Sequence, residues 1–316
     1  MPYGAGFSLG PVTVTVPATS ANLGPGFDSL GLALDLRDTL VAEVSAEPLR
    51  ITVEGEGTGE VPLTHEHLVH LAMTAAFEAM NVVLPGIRLH CRNVVPHSRG
   101  LGSSSAAIVG GIVLARALVA DGEARLDDVA VLDLANRIEG HPDNVAPALL
   151  GGFTVAATEL GRVQVARLDV DPRIGAVAFV PPQGVATSLA RGLLPATVSH
   201  ADAAANAGRA ALLVAALTGR PDLLLAATRD WLHQEQRRPA MPRTLALVET
   251  LRDAGIAAVV SGAGPTVLAL VPVSEVDAVA RRTPQGWAVH TPAVGGAGAR
   301  VAGPPGRSGA GETSEG

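Results

Sequence analysis

Arg99-Gly100-Leu101-Gly102-Ser103-Ser104-Ser105-Ala106-Ala107 joins a predicted strand, residues 87–95, to a predicted apolar helix, residues 104–120. Pro96 closes the strand. At such a junction the free N–H groups of a helix end and its positive dipole converge on one point, which suits an anion. Glycines let the backbone approach a ligand closely, and serine hydroxyls add donors. A phosphate loop and a Gly-rich turn capped by serine both fit these residues. Two familiar phosphate loops do not. Ser105 stands where the dinucleotide fingerprint has its third glycine, and the Walker lysine is missing because all 23 basic residues are arginine. The same absence excludes a Schiff-base lysine and a lysine general base, so any anion clamp here is arginine, backbone N–H or metal.

The 316 residues are 47% hydrophobic and 17% charged, enough to bury a core and too apolar for general disorder. Aromatic residues make up only 3%, so aliphatic side chains and alanine must fill that core. A formal charge of −7 without any basic run argues against a nucleic-acid partner. Cys91, the single cysteine, cannot form an internal disulfide and suits a reducing cytoplasm. Residues 1–10 lack the basic start and apolar run of a signal peptide. Residues 255–273 carry no charge, yet Ser261-Gly262-Ala263-Gly264-Pro265 at their middle is turn chemistry. Two buried strands are therefore expected there, not a membrane span, and the protein is expected to be soluble.

Periodicity predicts strands at 12–16, 39–44 and 49–53, a helix at 67–80, a second at 126–139, and strands at 149–157 and 163–170. A polar, Gly-rich loop is read at 19–28. A strand at 176–180 then precedes helices at 199–217, 221–232 and 242–254, a strand pair at 257–260 and 266–271, a helix at 273–282 and a strand at 287–290. This order predicts an α+β fold with domains at 1–160 and 161–293. Residues 294–316 are rich in Gly, Pro and Ala, turn acidic, and are expected to form a disordered tail.

Two further constellations carry chemistry. Glu139-Gly140-His141-Pro142-Asp143-Asn144-Val145-Ala146-Pro147 gathers two carboxylates, an imidazole and an amide behind a helix. Phosphoryl transfer needs Mg²⁺ ligands and a group that orients the attacking oxygen, and this cluster has both. A polar helix cap before a proline turn explains any one of these residues but not the set. Asn22 and Asp28 sit in the other constellation, around Gly24-Pro25-Gly26, where Asx bonds to their own backbone would also account for them.

In their order along the chain these segments resemble the GHMP kinases. The loop Pro96 to Ala107 is similar to that superfamily's ATP loop, and Ser261-Gly262-Ala263-Gly264-Pro265-Thr266 to its C-terminal glycine motif. Pro17-Ala18-Thr19-Ser20-Ala21-Asn22-Leu23-Gly24-Pro25-Gly26-Phe27-Asp28 and His141-Pro142-Asp143-Asn144-Val145-Ala146-Pro147 resemble the homoserine kinase branch. Mevalonate kinases use a lysine in the first of these regions. The resemblance implies an N-terminal domain like the second domain of ribosomal protein S5, a ferredoxin-like C-terminal domain and an active site between them. It also implies transfer of phosphate from ATP to the side-chain hydroxyl of L-homoserine, on the way to threonine.

By the same resemblance, Pro96, His97, Ser98, Arg99, Gly100, Leu101, Gly102, Ser103, Ser104, Ser105 and Ala106 bind the nucleotide. Ser104 and Glu139 hold Mg²⁺, with Asp133 as the alternative to Glu139. Asn22 and Asp28 take the substrate ammonium; Arg191, in the segment that starts at Thr187, and Arg237 take its carboxylate, with Arg238 as an equally charged neighbour. His141, Asp143 and Asn144 line the homoserine pocket. Ser104, Glu139, Asp143 and Asn144 form the catalytic set, in which Asn144 orients the hydroxyl and no firm general base is named. Where the family is expected to carry Asn-Leu-Val near the adenine, this chain has His67-Leu68-Val69. A sister kinase acting on another small alcohol and a catalytically silent binding module are the alternatives, and a homodimer is left open.

Overall fold

Val12, Val14 and Val16 alternate with threonines and are buried, as a period of two requires for a strand with one face in a core. They open β1 (Val12–Asn22) in the computed structural model, which describes residues 6–8 and 10–302. A tight turn at 23–25 leads into β2 (Gly26–Ser45). The region expected as a loop at 19–28 is therefore mostly strand, because Gly24 and Pro25 provide the turn and their neighbours stay in the ladder. Register shifts between Pro17 and Ala18, where proline has no N–H to give. β3 (Arg50–Gly55) runs parallel to β4 (Gly86–Asn93), and β4 is antiparallel to the second half of β2. Nearer its start, β2 pairs with β5 (Phe153–Glu159), which pairs in turn with β6 (Arg162–Leu168). Over the face that carries Val14, Leu40 and Leu89 pack α1 (Leu68–Ala79), α2 (Ser103–Leu118), α4 (Asp128–Glu139) and α5 (Pro142–Leu150), with one turn of helix, α3 (Gly122–Arg125), between α2 and α4.

The second unit has β7 (Ile174–Val180), α6 (Thr187–Gly192), α7 (His200–Thr218), a single-turn α8 (Leu224–Ala227), α9 (Pro242–Asp253), the hairpin β8 (Ala257–Val260) and β9 (Val267–Pro272), α10 (Val276–Ala280) and β10 (Ala288–His290). Its sheet runs β10-β7-β9-β8, the antiparallel 4-1-3-2 order of a ferredoxin-like fold. Ile174, Ala176, Val259, Leu268 and Leu270 point to α7 and the first sheet, while Val177, Phe179, Val260, Val267 and Ala269 point to α9 and α10. Burial on both faces explains why 255–273 is free of charge. Among the described residues no helix is long and apolar enough to cross a membrane.

Three further expectations change. The strand expected at 163–170 stays with the first sheet, so the change of sheet falls between Leu168 and Ile174, not at 160. The helix expected at 221–232 shrinks to a 3-10 turn and α8, because the Asp230 carboxylate accepts N–H bonds from Leu232, His233 and Gln234 and starts a new turn. Most consequential, the expected tail begins with ordered chain. Val294 bridges Leu34, Ala297 bridges Gly151, and β11 (Arg300–Ala302) pairs with β1. Arg37 holds this segment by donating to the carbonyls of Ala297 at 2.8 Å and Gly298 at 2.6 Å. Main-chain pairing of this kind needs no apolar periodicity. The rest of the expected tail, residues 303–316, lies outside the described residues.

Candidate active site

α2 begins directly after Gly102, whose φ of +71° is left-handed. A Cβ there would run into the Thr19 hydroxyl and crowd the Asn144 amide oxygen, so the position needs glycine twice over. No side chain of the N-cap residue occupies the first N–H groups of α2, which open onto a cleft of about 350 Å³. Of the expected loop residues, Pro96, Leu101 and Ser105 face away from this cleft; the others line it. Leu101 is core, and Ser105 is buried with no partner for its hydroxyl. Arg99 braces the loop by donating to the carbonyls of His97, Pro181 and Pro182. The C-terminal glycine motif locks on from the other side: Ser261 Oγ lies 2.6 Å from the Gly100 carbonyl, and Thr266 N donates to Arg99 O at 3.2 Å.

The central cluster reaches the same cleft. Ser104 Oγ donates to Glu139 Oε1 at 2.8 Å, joining the loop to the end of α4. Asp133 points elsewhere, accepting the Val163 N–H at 2.8 Å from β6, so of the two carboxylates only Glu139 meets Ser104. Gly140 ends α4 at φ +93°, and His141 caps α5. Asp143 in its first turn is 1% exposed and bonds His141 Nδ1 at 2.6 Å. Burial pulls the His141 pKa down, but Asp143 and Glu139 outweigh it and the net shift is upward. Asn144 Oδ1 accepts from Thr19 Oγ1 at 2.8 Å. This close approach of α5 to β2 depends on Gly31, where a Cβ would strike the Asp143 carbonyl.

At the other end of the cleft the groups are charged. Asn22 is spent on backbone: its Nδ2 donates to Gly262 O at 2.9 Å and its Oδ1 accepts from Asp28 N at 3.0 Å. The Arg191 guanidinium grips both Asp28 oxygens at 2.6 and 3.1 Å. Thr187, at the start of the same helix, also lines the cleft. Asp28, His141 and Asp143 bring ligand-type atoms within 4.8 Å of one another. Arg237 is 1% exposed, donates to Ala190 O, His233 Nδ1 and Gly262 O, and has no ion-pair partner among the described residues. Burial and the nearby Arg191 charge lower its pKa. Arg238 instead pairs with Glu235 and Glu249 outside the cleft.

Residues 63–152 match the GHMP kinases N terminal domain, and residues 211–288 match the GHMP kinases C terminal family. A homoserine kinase of Streptomyces avermitilis is 54% identical over 94% of this chain and 98% of its own, and one of Mycobacterium sp. strain KMS is 50% identical over 90% and 92%. The chain belongs to the homoserine kinase family. In three dimensions it is similar to the crystal structure of homoserine kinase from Cytophaga hutchinsonii, with a TM-score of 0.82, 27% identity and coverage of 93% of this chain and 98% of that one. Mevalonate diphosphate decarboxylase from Staphylococcus aureus (TM-score 0.62, 15% identity, 93% and 98% covered) shares the fold alone. As a kinase of this family the protein uses ATP.

Several cleft residues escaped the sequence reading of this homoserine kinase family member. Asp38 accepts the N–H groups of Val94 and Val95 at 2.7 and 2.9 Å, holding the approach to the loop, and burial raises its pKa. It lies inside β2, where nothing in the pattern marks it. Asn93 and Glu66 also line this end. His67, which the resemblance had put near the adenine, lines this end too, 5% exposed, with its pKa lowered by burial and by His70 and His97.

Proposed function

We propose that the protein transfers the terminal phosphoryl group of ATP to the side-chain hydroxyl of L-homoserine, giving O-phospho-L-homoserine for threonine synthesis in the cytoplasm. One observation carries this reading: Arg237 is a buried guanidinium without a carboxylate, and it lines the cleft beside a second arginine already tied to Asp28. A buried charge without a counterion is costly, and a substrate carboxylate would supply the missing partner. Asp28, with Asp143 beside it, then offers the complement to an ammonium. A zwitterion satisfies both ends; mevalonate and galactose satisfy at most one.

The residues divide the work. The N–H groups at the start of α2 and the hydroxyls of Ser103 and Ser104 receive phosphate oxygens. Hard oxygen donors from Ser104 and Glu139, held 2.8 Å apart, fit Mg²⁺ with phosphate and water completing its shell. When bound, that ion neutralises charge on the phosphate oxygens. Arg191 and Arg237 fix the carboxylate, and Asp28 fixes the ammonium, so the side-chain hydroxyl is carried toward Asn144 and Asp143. Asn144, restrained by Thr19, orients that hydroxyl, and positioning supplies most of the rate. A coupled ATP-consumption assay with homoserine, serine, threonine, mevalonate and galactose in parallel tests the reading. Turnover is expected with homoserine first; none with homoserine would sink it.

A further inference from the structure

His233 is fully buried and opens the His233-Gln234-x-x-Arg237 segment, where only Arg237 has been given a role, and it touches the groups around Arg237. Its Nε2 lies 2.7 Å from the Gly24 carbonyl, which can only accept. Its Nδ1 lies 3.0 Å from Arg237 NH1, which can only donate. The two partners therefore assign one tautomer, with the proton on Nε2 and the lone pair on Nδ1. Burial lowers its pKa, which agrees with a neutral ring. The ring packs on Phe27 at 5.2 Å between centroids, and the Arg237 guanidinium lies 5.7 Å over that same Phe27 ring. Asp230, whose side chain is 1% exposed, sets the backbone of 232–234 that carries the imidazole.

We propose that His233 is a positioning residue for the acceptor half of the site: its Nδ1 lone pair aims the buried Arg237 guanidinium at the substrate carboxylate, while its Nε2–H pins the turn that carries Asn22 and Asp28. The reason is one of charge. Arg237 has three neutral acceptors and no anion, so each acceptor restrains where its free N–H groups point. Two of the three, Ala190 O and Gly262 O, are main chain; only Nδ1 belongs to a side chain that also reaches the Asn22–Asp28 turn. An imidazolium there would face the guanidinium with a second donor and a second positive charge.

The proposal rests on the reading of Arg237 as a carboxylate clamp, and the test separates the two. Kinetics are measured with L-homoserine and with 3-aminopropan-1-ol, which keeps the ammonium and hydroxyl but lacks the carboxylate. Arg237→Ala is the reference and should erase the preference for homoserine; if it does not, the clamp reading fails and this proposal falls with it. His233→Gln keeps a donor near Nε2 but loses the acceptor. It should raise the homoserine KM about tenfold and leave the ATP KM and the amino-alcohol kcat/KM within about twofold. His233→Asn, with its Oδ1 in the place of Nδ1, should recover most of the homoserine KM. Equal effects of Gln and Asn, or parallel losses for both acceptors and ATP while Arg237→Ala remains selective, would overturn the role of His233 alone. Imidazole ¹⁵N NMR of the wild-type protein adds a readout that no folding defect can obscure. The Nε2–H tautomer supports the proposal, and an Nδ1–H tautomer or an imidazolium at neutral pH overturns it.

Discussion

The two ends of the cleft are made of different material. The end proposed for the nucleotide presents main-chain N–H groups and small hydroxyls, and the side chains of Arg99 and Asp38 nearby are turned onto backbone carbonyls and amides to hold the loop. The end proposed for the acceptor gathers charged side chains, each held by another side chain: Asp28 by Arg191, Asp143 by His141, Arg237 by His233. The difference follows from what each end must recognise. Phosphate is common to every nucleotide and is served by dipoles that the fold itself orients. A zwitterion is recognised by fixed charges of both signs; before it arrives Asp28 is paired with Arg191 and Asp143 with His141, while Arg237 has neutral acceptors alone among the described residues.

Replacing the groups at the nucleotide end should cost rate above all. Ser104→Ala and Glu139→Gln are expected to lower kcat by about 10²- to 10³-fold with little change in melting temperature. A large loss of stability with modest loss of rate would make the loop a structural turn. At the acceptor end the loss should fall on affinity instead. Arg191→Ala is expected to raise the homoserine KM roughly 30-fold or more while the ATP KM moves far less, because it removes one of the two arginines proposed for the substrate carboxylate and the ion pair that holds Asp28 in place. Equal rises in both constants would remove its carboxylate role. Backbone geometry is tested at Gly102: Gly102→Ala, forced to φ +71° against Thr19, is expected to cost about 1–3 kcal/mol in denaturant unfolding.

The acceptor end should also answer to pH. The His141 pKa is raised in the folded protein, so its protonated form favours folding. That contribution is complete below the ordinary histidine value near 6.5 and fades as pH climbs through the raised one. Thermal melts should drop by roughly 2 °C across that window from this source, and Asp143→Asn should shrink the drop; an unchanged drop would place its origin elsewhere. Smallest of all, Arg238→Ala should alter stability by less than about 1 kcal/mol and leave the homoserine KM unchanged, since its partners Glu235 and Glu249 are exposed and outside the cleft.

How well the sequence could be read also divides along physical lines. Amphipathic α4, the uncharged β8–β9 hairpin and the loop before α2 were legible because apolar spacing and glycine placement reflect them directly. Ser104 with Glu139 and Arg191 with Asp28 were also singled out, because the motifs that hold them are short and distinctive, and the fold brings each pair into contact. Asp38 was not, since it acts through amides far away in sequence, and His233 was legible only as a neighbour of Arg237 because its bond to the Gly24 carbonyl leaves no mark on the pattern. Nor was the choice between Arg237 and Arg238, which adjacent positions in a 3-10 turn send to opposite environments. The return of 294–302 to the first sheet stayed hidden because strand pairing by main chain leaves no mark on composition.

That return has a consequence for how the protein is made. β1 forms an outer strand of its sheet until β11 closes it, pairing Thr13 with Ala302 and Thr15 with Arg300. Translation delivers the chain N-terminus first, at about 5–20 residues per second, so that edge waits unpaired for on the order of tens of seconds on the ribosome. An open edge invites other strands, and the threonines that alternate with its buried valines keep the exposed side polar during the wait. The edge of the first sheet is closed only when residues 300–302 have been made. A chain released before residue 300 lacks β11 and keeps that edge open to pairing with other strands.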